Sequence, residues 1–214
     1  MRVVLATNNQ HKLLEFQQIL EPWGYLLTTP AELKVDLDVD EVGETFASNA
    51  VLKAVAWSLR TGLPALADDS GLEVDALNGE PGVHSARYAG EPRSDARNNA
   101  RLVSELQARG LTSSPARYRC CIAFAGLALD GTTADWSPRL AAPFEGLVQG
   151  VRVAVVDGTF EGHVSTTARG QGGFGYDPWF VVPDGRHLAE LSSDEKHRIS
   201  HRGHALRRLQ ARLQ

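Results

Sequence analysis

Two short apolar runs that end in polar turns constrain the fold of this 214-residue chain more than any other feature. The first spans Arg2 to Ala6 and precedes Thr7-Asn8-Asn9-Gln10; the second spans Leu63 to Ala67 and precedes Asp68-Asp69-Ser70-Gly71. Short apolar runs bounded by turn-forming residues are typical of buried strands. A helical pattern follows the first run, and alternation of strands with helices predicts an α/β fold.

Periodic apolar residues predict the remaining elements. We expect helices at 11–20, 45–60 and 95–109, and a C-terminal helix with Leu206, Leu209 and Leu213 on one side. We expect strands at 72–76, 118–124, 151–156, 160–164 and 179–182, a strand or extended loop at 35–39, and turns at Asp130-Gly131 and Asp157-Gly158. No linker or repeat interrupts the pattern, so residues 1–214 are expected to form a single domain.

Composition excludes several classes of function. The net charge is −4, whereas a face that binds nucleic acid needs many positive side chains. No apolar run is long enough for a signal peptide or a membrane span. The two cysteines, Cys120 and Cys121, are adjacent, which is typical of a reducing compartment. We therefore expect a cytoplasmic protein that binds neither nucleic acid nor membrane.

Two polar turns are candidate sites for phosphate and metal. The segment from Thr7 to Lys12 opens a helix, where free N–H groups and a lysine attract anions, although it also fits an ordinary turn with a surface lysine. Asp68 and Asp69 follow an apolar strand, where two carboxylates are costly to bury without a cation such as Mg²⁺. The same residues also make a good solvated turn, and the sequence leaves both readings open.

An acidic stretch from Glu32 to Glu44 precedes the second predicted helix. It fails as a calcium-binding EF-hand, because Glu41 stands where glycine is needed. Most of its acids are expected on a solvated face, but Glu41 or Glu44 could supply a metal carboxylate. On the helix that follows, Thr45, Asn49 and Lys53 share one polar stripe, which we expect to face solvent.

The last third of the chain holds features suited to a nucleobase. Glycines flank Phe174, so the backbone can approach a flat ligand on which that ring would stack, and Asp177 could accept hydrogen bonds from a base edge. A structural turn with a buried phenylalanine explains the same pattern. Residues 195–214 carry six Lys or Arg side chains that could neutralise phosphates. Acids for Mg²⁺, basic groups for phosphate and an aromatic slot together describe a nucleoside triphosphate site.

Five ordered blocks give the chain a specific resemblance. It resembles the inosine/xanthosine triphosphate pyrophosphatase family, which removes non-standard purine nucleotides. The matching blocks are ATNNQHK at 6–12, GETFASNAVLKA at 43–54, LADDSGLEVDALNGEPGVHSARYAG at 66–90, GGFGYDPWF at 172–180 and AELSSDEKHRISHRGHAL at 189–206.

The resemblance implies both a fold and a reaction. The implied fold is an elongated mixed β-sheet flanked by helices, with two lobes and the site in a central cleft. The implied reaction is Mg²⁺-dependent hydrolysis of ITP, dITP and XTP to the monophosphate and pyrophosphate by a homodimer. Asp69 would be the catalytic base, and Asp69, Asp68 and Glu41 would bind the metal. The substrate would be held by Thr7, Asn8, Asn9, Gln10, His11, Lys12, Lys53, Ser70, Phe174, Gly175, Tyr176, Asp177, Lys196, His201 and Arg202.

Two departures from the family pattern leave alternatives open. Ser48 stands where the family usually carries Glu, and the stretch 132–150 is longer than the family needs. The alternatives are a nucleotide-binding protein of the same fold with little turnover, and a pyrophosphatase for other modified nucleotides.

Overall fold

A computed structural model describes residues 1–126 and 139–213, and within them every side chain except those of His11 and Leu213. The predicted turn at Asp130-Gly131 and residues 132–138 of the extra stretch lie outside the described residues. The helices are α1 (Gln10–Leu20), α2 (Pro30–Leu33), α3 (Phe46–Thr61), α4 (Asp95–Ala108), α5 (Ser193–Ile199) and α6 (His201–Leu213). The strands are β1 (Arg2–Leu5), β2 (Leu26–Thr28), β3 (Ala65–Val74), β4 (Ser113–Ala125), β5 (Phe144–Val148), β6 (Val151–Ser165) and β7 (Phe180–Val181).

The described strands form one seven-stranded sheet in the order β2-β1-β3-β4-β6-β5, with β7 paired to β6. Strand β1 is parallel to both β2 and β3, whereas β6 is antiparallel to β5 and β7. The sheet is therefore mixed, which confirms the expected α/β class. The long predicted helices begin and end within two residues of the expected positions, because their caps are local: Thr45 and Ser94 accept from the third helical N–H of α3 and α4.

The chain divides into two compact units, each with its own apolar core. The first comprises Met1–Asp69, Cys120–Gly158 and Gly203–Gln214, and its core includes Leu5, Phe16, Leu66, Ile122 and Leu206. The second comprises Ser70–Arg119 and Thr159–Arg202, and its core includes Leu72, Leu102, Tyr118, Phe160 and Phe180. The expected single domain and the expected cleft stay predictions.

Two predicted strand–turn–strand segments are each one continuous strand, so those predictions were wrong. Strand β3 runs straight through Asp68 to Gly71, because lysines neutralise both carboxylates and no turn is needed to expose them. Strand β6 runs through Asp157-Gly158, where the Asp157 carboxylate accepts from Arg208 of α6 at 2.7 Å. The charge of Asp157 is thus balanced by Arg208 from a distant segment, so the carboxylate does not need the solvent exposure that a turn would give.

Smaller differences concern the first 45 residues and the end of β3. Residues 35–43 form no strand, so the extended-loop alternative is the correct one, and β2 and α2 were not predicted. Ala76 lies in a short 3-10 helix, Asp75–Leu77, instead of a strand. Within the extra stretch, residues 144–148 form β5, which pairs with the start of β6. Among the described helices, none is long and apolar enough to cross a membrane.

Candidate active site

Parallel pairing of β1 with β3 brings the first polar turn to the acidic pair. Leu5 lies opposite Leu66, and the N–H of Ala6 donates to the carbonyl of Leu66 at 2.8 Å. The chain then enters α1, where Asn9 Oδ1 accepts from the N–H of Lys12 at 3.2 Å and so caps the helix. Lys12 is in the first turn of α1, and its Nζ lies 3.0 Å from Asp68 Oδ2, whose carboxylate is almost fully buried.

Helix α3 supplies the second lysine. Lys53 Nζ lies 2.7 Å from Glu41 Oε1 and 3.5 Å from Asp69 Oδ1, so one ammonium group serves two carboxylates. Asn49, one turn earlier, donates from Nδ2 to Asp69 Oδ2 at 3.2 Å. Both oxygens of Asp69 therefore face a donor of α3, which sets the rotation of its carboxylate.

The polar stripe on α3 faces inward, so the expectation that it faces solvent was wrong. Asn49 is fully buried, and its Oδ1 accepts from the N–H of Gly43 at 2.8 Å. A side chain at Gly43 would overlap Ser48 Oγ, which explains why glycine stands there. The signal available in the sequence was the placement of Asn49 on the same helical face as Lys53 and one turn away from it.

Burial and neighbouring charges shift the protonation of this acid–lysine cluster. Burial raises the pKa of Asp69 above its usual value and the nearby Glu41 raises it further, while Lys53, Lys12 and the Asn49 hydrogen bond act in the opposite direction. Burial lowers the pKa of Lys53, but Asp69, Glu41 and Asp68 outweigh it and leave that pKa raised. Lys53 thus stays charged, and Asp69 binds a proton more readily than an exposed aspartate.

The carboxylates are the donors that a hard divalent cation prefers. Asp68, Asp69 and Glu41 offer only oxygen ligands, which suit Mg²⁺, and Mg²⁺ commonly takes one or two carboxylates and completes its shell with phosphate oxygens and water. No three His, Cys, Asp or Glu side chains among residues 1–126 and 139–213 stand grouped as a ready metal site. In this structure Lys12 and Lys53 pair with these carboxylates. The carboxylates therefore fit Mg²⁺ as part of a coordination shell that phosphate oxygens complete.

Ser48 has a structural role at the start of α3. Thr45 is the N-cap, and its side chain accepts from the N–H of Ser48 at 3.1 Å, while Ser48 Oγ accepts from the N–H of Thr45 at 3.2 Å. This reciprocal pair is a capping box, in which the third helical position is most often Glu or Gln. Ser48 therefore completes the cap of α3 at the position where the resemblance led us to expect Glu.

The second unit holds the predicted base-recognition residues on a tight loop. Asp177 folds back over Gly173, so that its Oδ2 accepts from the N–H of Phe174 at 2.9 Å. A Cβ at Gly173 would overlap this oxygen, and the φ of +73° also favours glycine. Lys196 of α5 donates to the same oxygen at 2.8 Å, and its ammonium lies 4.7 Å from the centre of the Phe174 ring.

The neighbouring predicted residues join this group through side-chain contacts. His201 stacks on Tyr118, with ring centres 4.8 Å apart and planes 9° from parallel. Arg202 is buried and donates to Ser70 Oγ at 3.1 Å. The Tyr118 hydroxyl donates to Asp177 Oδ1 at 3.1 Å. Sequence reasoning placed Tyr118 only on a strand, because nothing local indicates a contact across 59 residues.

Helix α4 holds the middle of the loop. The N–H of Gly175 donates to Asp95 Oδ2 at 2.9 Å, and Asn99 Nδ2 donates to the carbonyl of Gly175 at 3.0 Å. Tyr176 donates from its hydroxyl to the carbonyl of Ser85 at 2.8 Å. Gly175 and Tyr176 thus shape the loop through these contacts. Asp95 and Asn99 were missed by sequence reasoning, although their i, i+4 spacing on one helical face was visible.

The remaining predicted residues lie on the loop before α1 and at the first two positions of that helix. Asn8, Asn9 and Gln10 are exposed, and Thr7 accepts from the N–H of Asn9 at 3.1 Å. The side chain of His11 lies outside the described part of the chain. The structure therefore brings Lys12, Lys53, Glu41, Asp68 and Asp69 into one cluster in the first unit. In the second unit it groups Phe174, Asp177, Lys196 and His201, and the roles assigned to all of them stay predictions.

Comparison with known proteins gives the same assignment over the whole chain. Residues 3–212 match the Ham1 family. The dITP/XTP pyrophosphatase of Desulforamulus reducens is 44% identical over 209 residues, covering 97% of this chain and 93% of the relative. That of Nitrosomonas europaea is 46% identical over 209 residues, covering 97% and 92%.

Solved structures agree with the sequence comparison. The Ham1 protein of Staphylococcus aureus superposes with a TM-score of 0.79 at 38% identity, covering 100% of this chain and 98% of that one. The HAM1 protein of Coxiella burnetii gives a TM-score of 0.80 at 38% identity with the same coverage. The sequence blocks, the fold and these near-complete matches together establish that the chain belongs to the Ham1 family.

Proposed function

We propose that the chain hydrolyses non-standard purine nucleoside triphosphates, ITP, dITP and XTP, to the monophosphate and pyrophosphate. Relatives 39–46% identical over almost the whole chain are named dITP/XTP pyrophosphatases. The observation on this chain that carries the proposal is the buried cluster in which Lys12 and Lys53 neutralise Asp68, Asp69 and Glu41. Such a cluster holds both the cations that a triphosphate needs and the carboxylate that activates water.

The phosphate side of the reaction falls to the lysines and the start of α1. Lys12 and Lys53 are ammonium groups whose present partners are carboxylates, and phosphate oxygens offer them an alternative negative partner. The N-terminus of α1 adds N–H groups and a positive dipole end beside Lys12. These groups neutralise charge that builds on the phosphates as the α–β anhydride breaks.

Asp69 is suited to act as the general base. Its burial raises its pKa, so the carboxylate takes a proton from water more readily than an exposed aspartate does. Asn49 and Lys53 fix its orientation from two sides, at 3.2 and 3.5 Å. The water attacks the phosphorus as its proton passes to Asp69, and pyrophosphate leaves with the bond electrons.

We further propose Mg²⁺ as the cofactor, held by oxygens of Asp68, Asp69 and Glu41. A bound Mg²⁺ would polarise the phosphate oxygens and offset their charge. The support is the all-oxygen donor set in one cluster with two lysines. Formation of a homodimer is a separate proposal that the family resemblance supports, and light scattering of the purified chain tests it.

Selectivity between 6-keto and 6-amino purines follows from a donor on α5 and an acceptor on the loop that lie side by side. Lys196 can only donate, and Asp177 can only accept, and the two groups are 2.8 Å apart. Hypoxanthine and xanthine present an accepting O6 beside a donating N1–H, which matches this pair. Adenine presents the reverse order, so it leaves buried polar groups unpaired and is rejected. Phe174 supplies the flat apolar surface on which the purine stacks.

The experiment is pyrophosphate release with Mg²⁺ from ITP, XTP, ATP, GTP and dTTP by the wild-type chain, Asp69→Asn and Asp184→Asn. Asp184 is exposed and outside the site, so it controls for the substitution itself. We expect release from ITP and XTP, a loss of roughly 10²- to 10⁴-fold in Asp69→Asn, and no change in Asp184→Asn. Equal turnover of ATP would contradict the selectivity. Binding of ITP without turnover in the wild type would favour a nucleotide-binding protein. Ser48, in place of the Glu that the family pattern has, would then be the first residue to test as the cause.

A further inference from the structure

Tyr118 of β4 contacts two of the residues proposed to recognise the base, His201 and Asp177. Its ring stacks on His201 with planes 9° from parallel, and its other neighbour is the ring of Phe180 at 4.8 Å. Its hydroxyl donates to Asp177 Oδ1 at 3.1 Å. The side chain is buried and stands on a strand of the sheet, so it is held rigidly.

The hydroxyl of Tyr118 completes the set of donors around Asp177. Lys196 and the N–H of Phe174 both donate to Oδ2, so without a donor on Oδ1 the carboxylate could turn about its last side-chain bond. The Tyr118 hydroxyl donates to Oδ1, so donors on both oxygens together fix the plane of the carboxylate. Burial raises the pKa of Tyr118 well above its usual value, and the adjacent Asp177 raises it further, so the phenol keeps its proton and stays a donor.

We propose that Tyr118 is a positioning residue for base recognition: its hydroxyl sets the orientation of Asp177 and its ring sets the plane of His201. This inference rests on the proposed function, because it concerns how the same site selects its purine. Tyr118 acts through other residues, because its hydroxyl donates to Asp177 and its ring packs against Phe180 and His201.

The consequence concerns selectivity more than turnover. Discrimination between 6-keto and 6-amino purines requires the acceptor of Asp177 and the donor of Lys196 to keep a fixed order. When Asp177 can turn, that order is less strictly imposed, and binding of ITP weakens while the penalty against ATP shrinks. The phosphate-side cluster around Lys53 and Asp69 is left untouched, so the chemical step proceeds as before.

The test compares Tyr118→Phe with Tyr88→Phe as a matched control. Tyr88 is also a buried tyrosine whose hydroxyl donates to a carboxylate, Glu80 Oε2 at 3.2 Å, but neither Tyr88 nor Glu80 is a predicted site residue. Both substitutions remove one hydroxyl and keep the ring, so the fold and the stacking on His201 survive. The measurements are kcat and KM for ITP and ATP, equilibrium binding of ITP, inhibition by inorganic tripolyphosphate, and unfolding in urea.

We expect Tyr118→Phe to raise KM for ITP about ten-fold and to lower the ITP/ATP ratio of kcat/KM by a similar factor, because the lost bond goes to a charged group. Its kcat and its inhibition by tripolyphosphate, which has no base, should match the wild type. Tyr88→Phe should lose stability without a change in KM or selectivity. A Tyr118→Phe enzyme with wild-type KM and selectivity overturns the inference, and so does an equal loss of tripolyphosphate inhibition. If the wild type neither binds nor cleaves ITP, the proposed function fails and the inference fails with it.

Discussion

Replacement of Gly173 by alanine tests the close approach of Asp177 to Gly173, which shapes the loop that carries Phe174. A Cβ there would overlap Asp177 Oδ2, so the carboxylate must move by about 1.5 Å to restore an ordinary contact distance. That oxygen accepts from Lys196 at 2.8 Å and from the N–H of Phe174 at 2.9 Å, and a shift of this size breaks or bends both hydrogen bonds.

The magnitude follows from two separate costs. Alanine at a φ of +73° costs about 1–2 kcal/mol of folding free energy whatever surrounds it. Loss of a hydrogen bond to a charged group adds about 1.5–3 kcal/mol. If the second cost falls on the bound state, KM for ITP rises roughly 10- to 100-fold, since about 1.4 kcal/mol corresponds to a factor of ten.

Gly185→Ala is the control that separates the two costs. Gly185 has a φ of +88°, but no atom lies within 4 Å of the position that its Cβ would take. In urea unfolding, both variants should have a lower free energy of unfolding than the wild type, by the backbone cost of about 1–2 kcal/mol. In steady-state kinetics with Mg²⁺, only Gly173→Ala should show a raised KM for ITP. Equal KM values for the two variants would refute the argument that Gly173 makes room for Asp177.

Two further predictions use the charges around Asp69 and Glu195. Lys53→Met removes a charge that lowers the pKa of Asp69, so that pKa rises further and the acid limb of the kcat/KM profile for ITP moves to higher pH; an unmoved limb would argue against Asp69 as the base. Glu195 accepts from Ser192 and Arg186, which lowers its pKa to about 2. Because the folded pKa is the lower one, its stabilisation is present above the usual value of 4.5 and is lost as pH falls toward 2. The difference in unfolding free energy between wild type and Glu195→Gln should therefore shrink over that range in urea titrations, and a difference independent of pH would contradict it.

Local signals explain why much of the fold could be predicted. The caps at Thr45 and Ser94 and the apolar spacing within each helix act over a few residues, so the positions of the long helices followed from the sequence. The turn signals at Asp68–Gly71 and Asp157-Gly158 failed for the opposite reason. Their acids are satisfied by Lys12, Lys53 and Arg208, which lie up to 56 residues away along the chain and which local propensity cannot take into account.

The candidate site divides along the same line. The sequence by itself determined which residues we propose for the chemistry, because the carboxylates, lysines and glycine-flanked phenylalanine stand in five ordered blocks that no single motif could specify. Only the tertiary structure decided how they are used: Asn49 faces inward to Asp69, and Tyr118 reaches Asp177 across the core of its unit. Hydrogen bonds and ion pairs between distant segments depend on strand pairing and helix packing, and those become visible only when the chain has folded.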